Sequence, residues 1–568
     1  MMKIRAPYLT LFFAGLLLIS ACKKDFLDTR MDTLPTPETI QTTRSSLTGF
    51  ANAFYAPISF AVGFTTLDNS FFDAASDDAQ QTLTFAQGVI PFNQATLSEA
   101  NPSTEANKYY ACYEGIRAAN FFLDYSKNWK AMISQNRDTL TDVTNYNRDK
   151  LFISAYRGEA HVARAYYYSE LIKRYGGVPI VTKTLQQAGG DLAVAKSSYD
   201  QVVDYIVSEI DTYKDSLVVS WKTNGFSDQD GRFSKGSALA IKARVLLYAA
   251  SPLHNPSNDP AKWARAAAAA REIISTPAFG YALHTGGYGN YFQGNNSLSS
   301  AETILAIRRP ASNDLERANY PITTTGGASG VTPSHNLVAE YELKGSADAA
   351  NIYANRDPRL SETVVLNGSS WNGRTIDQSP GAVDDMAKTN TSRTGYYLKK
   401  FLAPNLDLVN NATAQHQWVA IRYAEVLLNY AEAMNEAYGP DGTAPDAPAG
   451  MTSRTALNMV RSRVGVAMPA VSTGGKDAFR AAIKHERRIE LAFEDHRYWD
   501  LLRWNDAATS LNQPIKGVNV SKNTNGSFNY TIVDVATRTF RAPAMYYLPF
   551  PRAEVVRSNG SITQNPGY

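Results

Sequence analysis

The most chemically loaded run in the 568-residue chain is HERRIELAFEDHRYWDLLRW, residues 485–504. Glu486, Glu490 and Glu494 recur at i, i+4 and i+8, a carboxylate row of the kind glycosidases use as acid and base. A general acid needs a raised pKa, however, and Arg487, Arg488 and Arg497 lie within one turn and would hold these groups ionised. Structural ion pairing is the expectation. His485-Glu486 opens like the zinc motif H-E-x-x-H, but position 489 is Ile, so the second imidazole is missing. The chain has no G-x-S-x-G elbow, no G-x-x-x-x-G-K-[ST] loop, no C-x-x-C pair and no D-x-[DN]-x-[DN]-G loop. It reads as a non-enzyme, with no cofactor and no metal site expected.

The elements that must carry these residues are mostly helical. GEAHVARAYYYSELIKRYGG, from Gly158, puts Ala160, Ala163, Tyr167 and Leu171 on one stripe and stops at Gly176-Gly177. Small residues alternating with large ones let two helices approach closely. Thr36-Pro37-Glu38 offers a helix start ahead of IQTTRSSLTGFANAFYAPI. Further helices are expected in SSYDQVVDYIVSEIDTYKDSL, SKGSALAIKARVLLYAASP, PAKWARAAAAAREIIS, WVAIRYAEVLLNYAEAMNEAYG, TSRTALNMVRSRVG and DAFRAAIKHERRIELAFEDHRYWDLLRW. Tyr166 to Tyr168, Tyr423 and Tyr430 keep helical spacing and are expected in helix packing. The fold class is mainly α, a tetratricopeptide-like scaffold of helix pairs with long irregular loops and a few short strands such as ETILAIR. HTGGYGNYFQGNNSLSSAETI and NGSSWNGRTIDQSPGAVDD are the long loops, and loops of that length are usually functional or disordered.

Composition narrows the function. The chain is 44% hydrophobic and 11% aromatic, as a folded globular protein should be, and its tyrosines, 32 against 24 phenylalanines, suit wet surfaces. The 56 basic and 53 acidic residues are interspersed, with no basic block of the kind nucleic acid wants, so nucleic acid is excluded as a partner. Lys3 and Arg5 precede an apolar core from Tyr8 to Ile19, too short to span a bilayer and of the length of an export signal. No other segment approaches 18 uninterrupted apolar residues. Ile19-Ser20-Ala21-Cys22 resembles a bacterial lipobox, which implies a signal peptide over 1–21, a lipid on Cys22 and a polar linker over 22–36. The alternative, an ordinary secretory signal cleaved near an A-x-A site, would leave Cys22 a free thiol. Cys112, in KYYACYEGIRAANFFL, is expected as a buried small hydrophobe.

Seven segments in order carry a wider resemblance: KKDFLD (23–28), ARAYYYSELIKRYGGVPIVT (163–182), GRFSKGSALAIKARVLLYAASP (231–252), NRDPRL (355–360), IRYAEVLLNYAEA (421–433), ERRIELAFEDHRYWDLLRW (486–504) and LPFPRAEVVRSNGSITQNPGY (548–568). Together they resemble the SusD/RagB family. The resemblance implies a lipoprotein of the Bacteroidetes outer membrane, lipid-anchored and facing the cell exterior. It would act as a non-catalytic lid on a SusC-like TonB-dependent transporter, binding oligosaccharides and delivering them for import. It further implies one domain over 37–568, with halves at about 37–255 and 256–568, in which four tetratricopeptide-like helix pairs face the transporter. Two alternatives remain: a RagB-like peptide-binding uptake lipoprotein and a surface glycoside hydrolase.

Sugar binding needs aromatic faces together with amides, carboxylates and guanidinium groups. FTTLDNSFFDAASDDAQQ offers Phe71, Phe72, Asp73, Asp77 and Asp78, in a Ser-Asp-Asp loop similar to one common in the family. AIRRPASNDLERANYP offers Arg309, Asn313, Asp314 and Tyr320, in a stretch where the family often places ligand contacts. Trp371, in the turn NGSSWNG, is expected as an exposed ring. The ligand contacts expected from these regions are Phe72, Asp73, Asp77, Asp78, Arg309, Asn313, Tyr320 and Trp371.

Overall fold

Side-chain caps fix where several helices begin. Ser198 and Ser234 each accept the backbone N–H three residues on, completing a capping box, and Asp259 accepts from Ala261 N–H ahead of Pro260. The computed structural model describes residues 44–568 apart from 59–62, 65–66, 68–69, 85, 137, 186–193, 223–228, 349–350, 449 and 473. The expected leader, Cys22 and the Thr36-Pro37-Glu38 cap lie outside the described residues. The longer helices are α1 (Arg44–Ala53), α2 (Glu105–Tyr125), α3 (Trp129–Asn136), α4 (Val143–Tyr175), α5 (Tyr199–Tyr213), α6 (Lys235–Ala250), α7 (Pro260–Ile274), α8 (Tyr423–Tyr438), α9 (Ser453–Arg461), α10 (Lys476–Glu490) and α11 (Arg497–Arg503). Among the described residues no helix is long and apolar enough to cross a membrane.

Helices close in sequence pack as neighbours: α2 on α4, α4 on α5, α6 on α7 and α8 on α9. The protein is mainly α-helical, with this paired scaffold as its frame. Ala160, Ala163, Tyr167 and Leu171 of α4 are all fully buried, as the stripe required. A Cβ on Gly115 of α2 would stand 2.1 Å from the Tyr167 ring, so the glycine is what allows α2 and α4 to meet this closely. Helix α4 is 33 residues long and begins well before the stripe. Helix α7 packs on α8 although about 150 residues separate them. The irregular stretch between is thus an insertion into the scaffold.

That insertion is held by short antiparallel strands. They are β1 (Ala79–Gln81), β2 (Thr303–Ile307), β3 (Val331–Pro333), β4 (Val364–Val365), β5 (Ser370–Trp371), β6 (Arg374–Thr375), β7 (Tyr397–Leu398), β8 (Trp418–Arg422), β9 (Ile515–Lys522) and β10 (Phe528–Ala536). They pair as β1–β3, β2–β8, β4–β7, β5–β6 and β9–β10. One hydrophobic cluster runs through both halves of the chain, from Leu47 to Ile562.

Three expectations are corrected and one element is added. Trp418–Arg422 is a strand on β2 rather than the start of a helix, because ETILAIR needs a partner and the helix begins only at Tyr423. The expected long helix over 476–504 breaks after Glu490, where Phe493 and Asp495 adopt φ values of 62° and 61°. The break turns the Phe493 N–H onto the Asp73 carboxylate at 3.0 Å. Neither long loop is unstructured: Tyr288–Tyr291 and Asn296–Ser299 form single-turn helices, and β5 and β6 make a hairpin around Asn372-Gly373. The β9–β10 hairpin was not anticipated at all; its signal was the Asn525-Gly526 turn between alternating runs.

Candidate functional site

The acidic row is buried and fully committed to ion pairs. Glu486 meets Arg359 (2.5 Å) and Arg461 (2.8 Å), and Glu490 meets Arg359, Arg422 and Arg463 at 2.5–2.8 Å. Glu494 meets Arg422 and Lys400, both at 2.7 Å, and Glu302 completes the network on Arg422 and Arg463. Burial raises the Glu490 carboxyl, but Arg463, Arg422 and Arg359 outweigh it and hold the group well below the ordinary range. A carboxyl held this way, as Glu490 is, cannot donate a proton as a general acid. The pairing expectation holds, yet the partners differ from those the spacing offered. Residues one apart on a helix do not face each other, so Arg487 turns to Asp500 (3.1 Å) while Arg488 and Arg497 turn to Asp77 and Asp78. His485 Nε2 lies 2.7 Å from the Glu340 carbonyl oxygen. Cys112 and the tyrosines at 166–168, 423 and 430 are buried in helix packing.

The expected ligand contacts separate into three places. Phe72, Asp73, Asp77 and Asp78 lie buried under the α10–α11 break. Phe72 packs between Phe92, Tyr498 and Trp499, with ring centroids 4.9–5.3 Å away. Asp77 accepts from Arg497 Nε at 2.8 Å and Asp78 from Arg488 Nε at 2.7 Å. Burial, with Asp78 next, raises the Asp73 carboxyl well above its usual value. These four residues, expected as ligand contacts, are turned into the core instead of facing solvent. Phe71 stacks on Phe401 in the same core.

Asn313, Tyr320 and Trp371 form the second group. Asn313 Nδ2 donates to Asn411 Oδ1 and the Ala412 carbonyl, each at 2.9 Å, and Tyr320 O–H donates to the Ala403 carbonyl. Trp371 is only 5% exposed and meets Tyr320 edge-on at 6.0 Å, which corrects its expected exposure: β5 faces the ring inward. Of the four residues that AIRRPASNDLERANYP offers, Asp314 is the one open to solvent. Arg309 is the third place, half-buried, its guanidinium 5.8 Å from the Phe64 ring centroid and packed against Gly63.

A cleft lined by Arg308, the neighbour of Arg309, uses residues that the spacing argument passed over. It encloses about 580 Å³ between α1, the Asp230-Gly231-Arg232 turn and the end of β2. Thr48, Asn52 and Tyr55 come from α1 and the turn after it, at i, i+4 and i+7. That spacing was a readable signal. Ile58, Leu305 and Ile307 give apolar wall, and Gln229, Asp230 and Arg308 give polar rim. Gly231 has φ +98°, a conformation an L side chain resists, and it brings Asp230 and Arg232 to the same mouth.

The wall is rigid. Arg232 Nε donates to both oxygens of Glu159 (3.2 and 2.9 Å), and its Nη1 donates to Asn52 Oδ1 at 2.7 Å. Its guanidinium sits 4.9 Å from the Tyr55 ring centroid and 4.1 Å from that of Tyr156. Tyr55 O–H donates to Glu159 at 3.0 Å, and Phe233 stacks on its ring at 5.3 Å. Burial first, then Glu159, pushes the Tyr55 phenol well above its usual value. Arg308 and Asp230 face each other loosely at 3.6 Å. The cleft therefore pairs aliphatic walls with an amide, hydroxyl, carboxylate and guanidinium rim, the mixture that suits a polyhydroxylated ligand.

Two family models match, in succession. Residues 25–247 match one described as starch-binding associating with outer membrane, and residues 289–568 match that of the SusD family. SusD-like protein P38 of Formosa agariphila is 29% identical over 384 residues, covering 64% of this chain and 69% of that protein. A SusD-like protein of Bacteroides fragilis superposes with a TM-score of 0.74 at 24% identity, covering 94% of this chain and 98% of the other. A SusD-like carbohydrate binding protein of the same organism gives 0.72 at 24% identity, over 91% and 98%. At such identities the superpositions speak for the fold, which is the one derived above. With both models matched in chain order and the fold shared along nearly the whole chain, the protein belongs to the SusD/RagB family.

Proposed function

We propose that this protein is a non-catalytic, cell-surface binding lipoprotein that captures an oligosaccharide and delivers it to a SusC-like TonB-dependent transporter. The observation that carries the reading is the cleft of about 580 Å³ with its apolar wall and mixed polar rim. Membership of a family with one model described as starch-binding associating with outer membrane supports both the ligand class and the location. Cys22 anchors the chain in the outer membrane, facing outward, with the polar run after it as a leash. The commitment of Glu486, Glu490 and Glu494 to buried ion pairs speaks against their use in glycoside hydrolysis.

Isothermal titration of the full chain in detergent against starch, laminarin and xylan oligosaccharides tests the reading. One class is expected to bind, and Asn52→Ala with Arg308→Ala is expected to weaken it roughly tenfold or more, two rim hydrogen-bonding groups being lost. Silence across all carbohydrates, with binding to peptides, would replace the reading with a peptide-binding one. Release of new reducing ends from a bound glycan would overturn the non-catalytic assignment. Detergent extraction of native membranes is expected to co-purify a large β-barrel.

A further inference from the structure

The Tyr55 ring is already engaged by Arg232 and Phe233, so the main cleft offers hydrogen bonds but little aromatic platform. The missing platform lies elsewhere. A second cleft of about 410 Å³ opens beside α2, where Tyr109, Tyr110 and Tyr113 face Pro179, Glu554 and Arg557. Tyr109 is wedged into the core against Tyr175 (5.3 Å), and Tyr113 O–H donates to the Pro179 carbonyl at 2.8 Å. Tyr110 differs. It is 39% exposed, on the solvent side of α2, and touches Tyr109 only edge-to-face at 5.8 Å.

The Tyr110 ring also has polar neighbours. Glu554 and Arg557 line the same cleft and pair with each other at 3.0 Å. An open tyrosine face near a carboxylate and a guanidinium is the arrangement that takes the C–H side of a pyranose while bonding its hydroxyls. We propose that this cleft is a second carbohydrate subsite, with a pyranose stacked on Tyr110 and hydroxyls on Glu554 and Arg557. The proposal rests on the oligosaccharide reading above. Two subsites on one rigid body would hold a polysaccharide more tightly than either alone, through effective concentration.

Affinity electrophoresis of the full chain through gels of soluble starch, laminarin or xylan tests it, with melting temperature as a check on folding. Tyr110→Ala is expected to weaken retardation roughly five- to tenfold, as loss of one stacking contact does, while Tyr110→Phe stays within about twofold. In the Asn52→Ala/Arg308→Ala background, residual retardation is expected and Tyr110→Ala should remove it. Unchanged mobility of Tyr110→Ala in both backgrounds, with the parent chain retarded, would overturn the second subsite and leave the first reading standing. A parent chain retarded by no polysaccharide would overturn both.

Discussion

Arg488 and Asp78 are 410 positions apart in the chain and 2.7 Å apart in space, from Nε to Oδ1. Arg488 also donates to Asp77 and Glu340 at 3.0 Å, and Arg497 closes on Asp77 from the next helix. The amino-terminal loop is thereby fastened to the α10–α11 break. Burial raises the Asp77 carboxyl, but Arg488 and Arg497 outweigh it and hold it well below the usual range.

Removing one side of this clamp strands charges in the core. Arg488→Met is expected to destabilise the protein by about 3–5 kcal/mol, the scale of a broken buried pair. Adding Asp78→Asn should restore part of that loss, because the orphaned charge goes with it. Denaturant midpoints of the two variants check this; equal midpoints would sink it.

Acid sensitivity follows from two buried glutamates. Burial raises Glu425, but Arg244 and then His496 bring it down to about 2; Glu170, raised by burial, is brought to about 2 by Lys173 and Arg174. An exposed glutamate titrates at 4.5, so between pH 4.5 and 2 the unfolded chain binds more protons and stability falls as pH falls. Each group contributes on the order of 3 kcal/mol that is present above pH 4.5 and gone below 2. Urea titrations at pH 6, 4 and 3 should show the decline, and Glu425→Gln should make it shallower.

The close approach of α2 and α4 leaves no room at Gly115. The Tyr167 ring cannot swing aside without giving up its 2.7 Å hydrogen bond to the Phe54 carbonyl. Gly115→Ala is expected to cost about 1–3 kcal/mol, as overpacking does. A melting temperature equal to that of the parent would contradict this.

Cys22→Ala is expected to move the protein out of the membrane fraction while leaving its affinity for a bound oligosaccharide unchanged. Fractionation of cells and titration of the purified variant separate the two effects. Lost affinity in the purified variant would mean that Cys22 has a role in the binding fold itself.

Helices were legible wherever a stripe and a stop signal coincided, as in the Ala160 to Leu171 stripe ending at Gly176. The break after Glu490 was not, because its cause is tertiary: Phe493 takes a left-handed backbone to reach Asp73, which lies 420 positions earlier. The same applies to the candidate contacts. Asp77 and Asp78 read as a polar loop because their partners, Arg488 and Arg497, are invisible at short range. Trp371 sits beside an Asn-Gly turn, which predicts a hairpin but not which face its ring takes. Thr48, Asn52 and Tyr55 were within reach of a spacing argument, but only the turn at Gly231 shows that something stands opposite them.

The clamp between Asp78 and Arg488 also bears on how the chain acquires its structure. Contacts of such sequence separation slow folding, since a very long loop must close before they repay its entropy. All of the 409 residues between Asp78 and Arg488 must be synthesised before Arg488 exists, so through that stage of synthesis the Asp77-Asp78 turn lacks this counter-charge. The late carboxy-terminal helices therefore set the moment at which the early loop locks.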